Sequence, residues 1–522
     1  MIILGLYNGH NAAACIIKDG KILINWELER YTRIKHDYGF NQDFLDKTLS
    51  NCGLTFDDVD LIITNKQDFK RPPPWTVPST AVNYLESFMI NNKQAYALNH
   101  HLAHVASAYY TSPFNEATII TQDGGGDDEN FSYGTAQDNR ITGFNSGRVR
   151  NIAAYWSGIT LNNYRMPRLH AWDPGSGAGK IMALAAYGNT NIELEQRLEH
   201  TMEQGIQSHF TDPHSRAFNN DEDLSDVSTQ RSKDVAAALQ SYTEKEVKII
   251  YDQIYEREPN DNLCLAGGIA LNCVANTRVK SKFKNVHVPP FPNDTGLAIG
   301  MALYAHHQIN GAPKDNNYFV PYLGPEYSDE ETTIACHHSG YKYKKLHVDD
   351  VVDVLCERKP IVMCRGRSES GPRALGHRSI MCVPDMENGR DFLNFKIKQR
   401  EWYRPYAPII LDKYVDDILE DYMPESPYMS TSGTIKKEWR DRLSAVNHID
   451  NSTRPQIIKF NHEPFIYSLI QRVYDRTGIP VLLNTSFNRQ EPIVETPQEA
   501  INTFRDFENI DYMVLHNYQV IK

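Results

Sequence analysis

Apolar residues near the start of the chain fall into short runs of strand length. Residues 2–7 form one run, 12–17 a second and 21–26 a third. Asn8, His10 and Asn11 break the first from the second, and Asp19-Gly20 is a hairpin signal before the third. A helix over 41–52 follows. The predicted order is strand, polar turn, strand, Asp-Gly turn, strand, helix.

The same order returns at 117–145. Residues 117–121 predict a strand, and Asp123-Gly-Gly-Gly-Asp127 a polar turn. Strands over 131–136 and 141–145 follow, separated by Asp138-Asn139. Two such units predict an internally duplicated α/β fold, as in the actin-like ATPase architecture. Meanders alone are common, so the chemistry must carry the rest. Further along, 189–230 reads as a helical excursion plus surface loop and 234–255 as an amphipathic helix. A buried strand at 263–266 ends in Gly267-Gly268, ahead of a helix over 269–278. A strand end at 286–292 and a helix over 297–305 complete this part. Pro, Gly and Lys/Tyr runs interrupt 308–345. The expected division is therefore 1–345 and 346–522.

The 522 residues allow more than one core. Hydrophobic residues are 41% and charged residues 23%, so a long disordered chain is excluded. Net charge is −12. A general polyanion binder is usually basic, so polymeric nucleic acid is not an expected partner. None of the eight Cys falls in a C-x-x-C spacing, which argues against a cysteine zinc knuckle and fits a reducing cytoplasm. The N-terminal run lacks a basic leader, and no run of about 18 apolar residues exists. Neither a signal peptide nor a membrane span is expected.

His100-His-Leu-Ala-His104 precedes a helix-forming stretch. His100 and His104 share a helix face and can hold one divalent metal, while His101 points about 100° away. Completing a site needs carboxylates, and Asp123 and Asp294 are the candidates. Such a set suits iron(II), manganese or zinc. A hydrogen-bonded polar helix face is the plainer alternative. Gly124 and Gly125 would let backbone N–H groups approach a phosphate, or simply form an exposed turn. Gly267 and Gly268 are a second phosphate or adenosine candidate. Gly175-Ser-Gly-Ala-Gly-Lys180 lacks Walker A spacing. Lys180 can still reach a nucleotide phosphate as a point charge, or lie in a surface loop. Four Arg fall within 365–378, and Lys398, Arg400 and Arg404 follow. In a chain of net charge −12 this density points to an anion pocket, the alternative being a solvated basic face. Asn484-Thr-Ser-Phe-Asn488 follows an apolar strand and offers polar groups at its end.

Taken together, these segments resemble the carbamoyltransferases of the nodulation-protein and antibiotic-tailoring type. The matching strings are Gly9-His10, Glu27-x-Glu29-Arg30 with Lys35-His36, His100-His-x-x-His104, Gly267-Gly268 with Asn272, and Asn293-Asp294-x-Gly296. In the second part they are Gly371-Pro-Arg-Ala-Leu-Gly-x-Arg-Ser379, Lys398-x-Arg-Glu401, Arg404-Pro-x-Ala-Pro408 and Asn484-Thr-Ser-Phe-Asn488. They run in order along nearly the whole chain.

The resemblance implies an actin-like ATPase (ribonuclease H-like) N-terminal domain and a smaller YrdC-like C-terminal domain. It implies an ATP-dependent reaction. Carbamoyl phosphate yields carbamate, ATP converts this to carbamoyl adenylate, and the carbamoyl group passes to an acceptor hydroxyl. His100, His104, Asp123 and Asp294 would be iron(II) ligands, with another divalent metal, magnesium included, an option. Arg373, Arg378, Lys398 and Arg404, with Arg454 and Ser486, would cradle carbamoyl phosphate. Gly124, Gly125, Lys180, Gly267, Gly268 and Asn272 would face the nucleotide. His10 would be the base or positioning group for the acceptor. A homodimer is compatible with the family. Two readings compete: a threonylcarbamoyl-type modifier of tRNA, and a non-catalytic nucleotide- or metal-binding module. Net charge and the fused second domain disfavour the first, and the joint metal and basic sets the second. The chain departs from the family pattern in having Asn11 where Asp is common, Ser370 where Phe is common, and a brief 425–447 region.

Overall fold

A computed structural model describes residues 1–39, 42–65, 84–167, 177–207, 222–278 and 282–522. Gly175 and Ser176 of the Lys-containing glycine run lie outside the described residues.

The first sheet is built from β1 (Ile2–Tyr7), β2 (Ala13–Lys18), β3 (Lys21–Glu27), β4 (Leu61–Thr64), β5 (Leu85–Ile90) and β6 (Lys93–Leu98), in the order β3-β2-β1-β4-β6-β5. The second is built from β7 (Glu116–Gly126), β8 (Glu129–Gln137), β9 (Arg140–Gly147), β10 (Asn262–Ala266) and β11 (Asn285–His287), in the order β11-β10-β7-β8-β9. In both, three antiparallel strands form a meander whose first strand then pairs in parallel with a later one. A further parallel strand follows in each, β6 in the first sheet and β11 in the second. This is the doubled topology of the actin-like ATPase fold, and both expected meanders are present. The strands β5 and β6 were not legible, because polar and apolar residues mix across 85–98. The strand expected over 117–121 runs on to Gly126 through an irregularity after Gln122. The turn falls instead at Asp127 and Asp128, both in the left-handed region.

Two helices lie between the sheets, His100–Tyr110 and Leu297–Tyr304. Every residue of both is buried, and they share one apolar core with the inner faces of β1, β2, β7 and β10. Burial on all sides explains why 297–304 carries almost no polar residue. Glycines permit the close approach. A Cβ on Gly300 would lie 2.1 Å from the Ala103 carbonyl oxygen, and one on Gly5 2.3 Å from that of Ala298.

The C-terminal part is a separate mixed sheet. Its strands are β12 (Lys342–Lys345), β13 (Ile361–Cys364), β14 (Arg378–Cys382), β15 (Ala407–Leu411), β19 (Gln456–Ile458), β20 (Val481–Ser486), β21 (Tyr512–Leu515) and β22 (Tyr518–Ile521). The order is β12-β22-β21-β13-β14-β20-β15-β19. A small three-stranded sheet of β16 (Leu419–Glu420), β17 (Gly433–Ile435) and β18 (Ser452–Thr453) stands beside it. This part has its own core, spanning Ala335 to Val520. β12 pairs with β22, and helix Asp329–Ser339 packs on helix Pro497–Arg505, so residues 329–345 already belong to the C-terminal part. Among the described residues no helix is long and apolar enough to cross a membrane.

The packing of Gly300 generates a stability prediction. Gly300→Ala forces the two central helices apart and lowers stability by about 1–3 kcal/mol. Gly147→Ala, whose Cβ meets nothing within 4 Å, shifts it by no more than about 0.5 kcal/mol. Chemical denaturation followed by circular dichroism compares the two.

Candidate functional site

The first polar centre sits where the two sheets face each other. Asn99 caps helix His100–Tyr110 by accepting the Leu102 N–H at 3.0 Å, which fixes where the helix begins. From there His100 and His104 share the face turned to Asp123, on β7, and to Asp294, in the short turn before helix Leu297–Tyr304. All four are buried, and one donor atom from each lies within 4.8 Å of the others. His100 Nε2 is 3.4 Å from Asp123 and 3.8 Å from Asp294, and His104 Nε2 is 3.4 Å from Asp294. Gly126 must be glycine here, since a Cβ would strike the His100 ring.

Burial opposes charge at each of these groups, and mutual attraction restores it. Burial disfavours the charged His100 ring, yet the neighbouring Asp294 and Asp123 push it up to about 9. Burial would raise Asp123, but the His100 and His104 rings beside it hold it well below the carboxylate range. Asp294 is likewise lowered against burial, chiefly by His10 and His100. Burial and the neighbouring His100 and His104 charges hold His101 down to about 3. It bonds Thr121 at 2.9 Å instead of joining the cluster.

This donor set fits a divalent metal. His100 Nε2 and both ring nitrogens of His104 are buried without a hydrogen-bond partner. Two imidazoles and two carboxylates supply the required chemistry. Tyr7 at the end of β1 donates its hydroxyl to Asp294 at 2.5 Å and orients that carboxylate. Sequence reading missed Tyr7, because one buried tyrosine at a strand end looks like core. His10 lies on the open side, 37% exposed at its side chain, with Nε2 3.4 Å from Asp294. Asn11 beside it has φ 64°, a conformation asparagine tolerates, and its amide oxygen meets His36 at 3.0 Å.

The glycines divide into two kinds. The Gly268 N–H donates to Asp123 at 2.6 Å, and a Cβ on Gly267 would lie 2.2 Å from the Gln122 oxygen. Both are needed to bring the end of β10 against β7. Gly124 faces open space, and Gly125 N–H reaches toward Asp123 at 3.4 Å. Asn272 is committed to packing: it exchanges hydrogen bonds with Gln240 and caps helix Cys273–Arg278 through the Ala275 N–H.

The second polar centre is a cavity of about 430 Å³ between the two parts. Arg373, Arg404, Arg454 and Ser486 line it from the C-terminal side, and Lys180 and Gln240 from the other. Arg373 and Arg454 have no ion-pair partner among the described residues. Burial and the adjacent Arg454 and Arg404 charges depress Arg373 to about 9. Burial lowers Arg454 too, and its Nε has no partner. Lys180 bonds Glu401 at 2.7 Å, and Arg404 is 3.7 Å from the same carboxylate. Arg400, a further guanidinium of the lining, stacks 4.3 Å over the Tyr406 ring.

Two residues expected in this cradle stand outside it. Arg378 is fully buried, donating to the Gly366 carbonyl at 3.0 Å and lying 3.4 Å from Glu495. The Lys398 ammonium spends its donors on the Ser486 and Asn488 carbonyls and on Asn488 Oδ1 at 2.7 Å. Both side chains brace the loops that carry cavity residues. Charge density along a sequence cannot tell a bracing cation from a facing one.

Comparison with known proteins gives the family. The family model described as Carbamoyltransferase N-terminus matches residues 2–74 and 73–303, and that described as Carbamoyltransferase C-terminus matches 352–522. The chain is 30% identical to Nodulation protein U of Rhizobium tropici, over 94% of this chain and 91% of that one. It is 28% identical to Nodulation protein NolNO of Sinorhizobium fredii, over 98% and 79%. Among solved structures, HypF of T. kodakarensis is 13% identical with a TM-score of 0.34, covering 60% of this chain and 49% of that one. The activator of 2-hydroxyisocaproyl-CoA dehydratase from Clostridium difficile gives 16% and 0.33, covering 60% and 96%. These structural likenesses are too distant to carry an argument, and the fold rests on the strand order above.

The geometry of the first centre predicts graded metal loss. His104→Ala and Asp294→Asn abolish divalent-metal retention, read by elemental analysis after dialysis. Tyr7→Phe retains the site but weakens it by about 10- to 100-fold, read by chelator competition. Unchanged metal content in His104→Ala contradicts the ligand set.

Proposed function

The chain belongs to the carbamoyltransferase family, and on that premise we propose that it is an ATP-dependent O-carbamoyltransferase using carbamoyl phosphate. The observation that carries the reading is the cavity lined by Arg373 and Arg454, neither of which has an ion-pair partner among the described residues. Uncompensated guanidinium charge of that kind is a binding site for a small dianion.

In this reading Arg373, Arg404 and Arg454 grip carbamoyl phosphate. Ser486, at the end of β20, offers its hydroxyl from a position that Lys398 holds. Water cleaves the carbamoyl phosphate to carbamate and inorganic phosphate, and the arginines stabilise the charge on the departing phosphate. A carbamate oxygen displaces pyrophosphate from the ATP α-phosphate to give carbamoyl adenylate. An acceptor hydroxyl then displaces AMP from the carbonyl carbon and gives up its proton to His10, which lies at the open side of the first centre. Lys180, balanced by Glu401, and the backbone at Gly124 and Gly125 face the nucleotide phosphates.

His100, His104, Asp123 and Asp294 would hold a divalent metal, iron(II) in this proposal, which would supply a Lewis acid for phosphate oxygens. Tyr7 keeps the Asp294 carboxylate aimed at the centre. In this reading the part before residue 329 supplies metal, nucleotide and acceptor chemistry, and the C-terminal part a YrdC-like carbamoyl-phosphate site. The acceptor belongs to the class of hydroxyl-bearing small molecules, sugars and nucleosides.

With metal, ATP and carbamoyl phosphate present, the wild type releases inorganic phosphate and pyrophosphate, followed by ³¹P NMR. Arg373→Ala cuts this release by about 100- to 1,000-fold and leaves nucleotide binding measurable. Equal loss of nucleotide binding contradicts the two-site reading, and a silent wild type contradicts the function itself.

A further inference from the structure

The string Glu27-x-Glu29-Arg30 has no part in the chemistry above, yet its side chains reach the loop that carries Arg373. Glu27 ends β3 and Arg30 follows in the short helix Leu28–Thr32. Both are almost fully buried, at 3% and 2% exposure. The Glu27 carboxylate accepts the Gly371 N–H, and Arg30 Nη2 donates to the Gly371 carbonyl at 3.1 Å. One residue is therefore held at its N–H and its C=O by two side chains of the first sheet's edge. Gly371 sits at φ 100°, and a Cβ there would lie 2.3 Å from the Pro290 oxygen. Arg373 is two residues further on. Ser370 adds a third tie, accepting from the Asn25 side chain at 3.2 Å.

As an ion pair, Glu27 and Arg30 are poorly matched. Arg30 Nε is 3.8 Å from Glu27 Oε2, and both atoms lack a hydrogen-bond partner, as does Arg30 Nη1. Burial pushes the Glu27 carboxyl up to about 7 even beside Arg30. A buried pair of that geometry adds little to stability. What it achieves is the placement of Gly371. The other end of the same structure touches the first centre. Ala13 of β2 pairs with Glu27, and the Leu28 N–H donates to Ala12 at 2.8 Å. Ala12 stands two residues after His10, whose ring faces Asp294.

We propose that Glu27 and Arg30 are positioning residues that set Arg373 in the carbamoyl-phosphate cavity from the metal-binding part of the chain. This rests on the function proposed above. The cradle is then complete only while the edge of the first sheet grips Gly371.

Steady-state kinetics of the metal-loaded full chain test it, with pyrophosphate release as readout. Glu27→Ala and Arg30→Ala raise the KM for carbamoyl phosphate by about tenfold or more, with the KM for ATP and the metal content unchanged. Glu27→Gln, whose amide oxygen still accepts the Gly371 N–H, stays within about threefold of wild type. The decisive variant combines Glu27→Ala with Arg373→Ala. It binds carbamoyl phosphate no worse than Arg373→Ala alone, because Glu27 acts through Arg373. Additive losses in the double variant overturn the proposal, as does an equal rise in both KM values or an unchanged KM in Glu27→Ala. If Glu27→Ala fails to fold, Arg30→Lys decides: its single ammonium gives an intermediate KM, and a wild-type KM overturns the proposal. A wild type that releases no pyrophosphate refutes the function instead, so the two failures are distinguishable.

Discussion

Two carboxylates and two imidazoles sealed between a pair of sheets impose the main constraint on this molecule. Charges taken out of water must be matched or neutralised. Here the His100 and His104 rings lie against Asp123 and Asp294, whose carboxyls are lowered despite burial, and Tyr7 gives Asp294 a hydrogen bond. The packing around them serves that balance. The Gly126 position leaves room for an imidazole, Gly268 turns its N–H onto Asp123, and Gly300 lets the histidine helix approach its partner.

The cavity at the junction follows the opposite logic. The first centre sets imidazoles against carboxylates, whereas Arg373 and Arg454 in the cavity have no ion-pair partner among the described residues and so hold affinity in reserve for an anion. The cations that are balanced, Arg378 against Glu495 and Lys398 against carbonyl oxygens, serve as scaffold. The overall charge of −12 shows none of this, since it averages a balanced centre, an unbalanced one and a solvated exterior.

Strand runs and helical spacing are local properties, and they were readable. Both meanders, the central helices and the His100–His104 face follow from periodicity, and Asp123 and Asp294 follow from their places after apolar runs. Features that depend on what lies across a gap were not readable. Tyr7 reveals itself only through Asp294, Asn272 only through Gln240, and the inward role of Arg378 only through Glu495. β12 illustrates the same limit: its charged run Lys342–Lys345 reads as linker, and pairing with β22 makes it a strand. The glycines at 267 and 268 resemble a phosphate loop in sequence, but their immediate duty is contact with β7.

The hold of Glu27 and Arg30 on Gly371 bears on how freely the parts of this chain can be recombined. A chimera that joins the C-terminal sheet to a first sheet of different origin leaves a buried carboxylate and a buried guanidinium facing a foreign loop. Arg367 compounds the problem by reaching across to the Leu23 carbonyl of β3. Exchange is therefore compatible with this structure only when β3 with its following turn travels together with the 365–378 loop. The two parts are thus mechanically coupled through buried contacts, despite their separate cores.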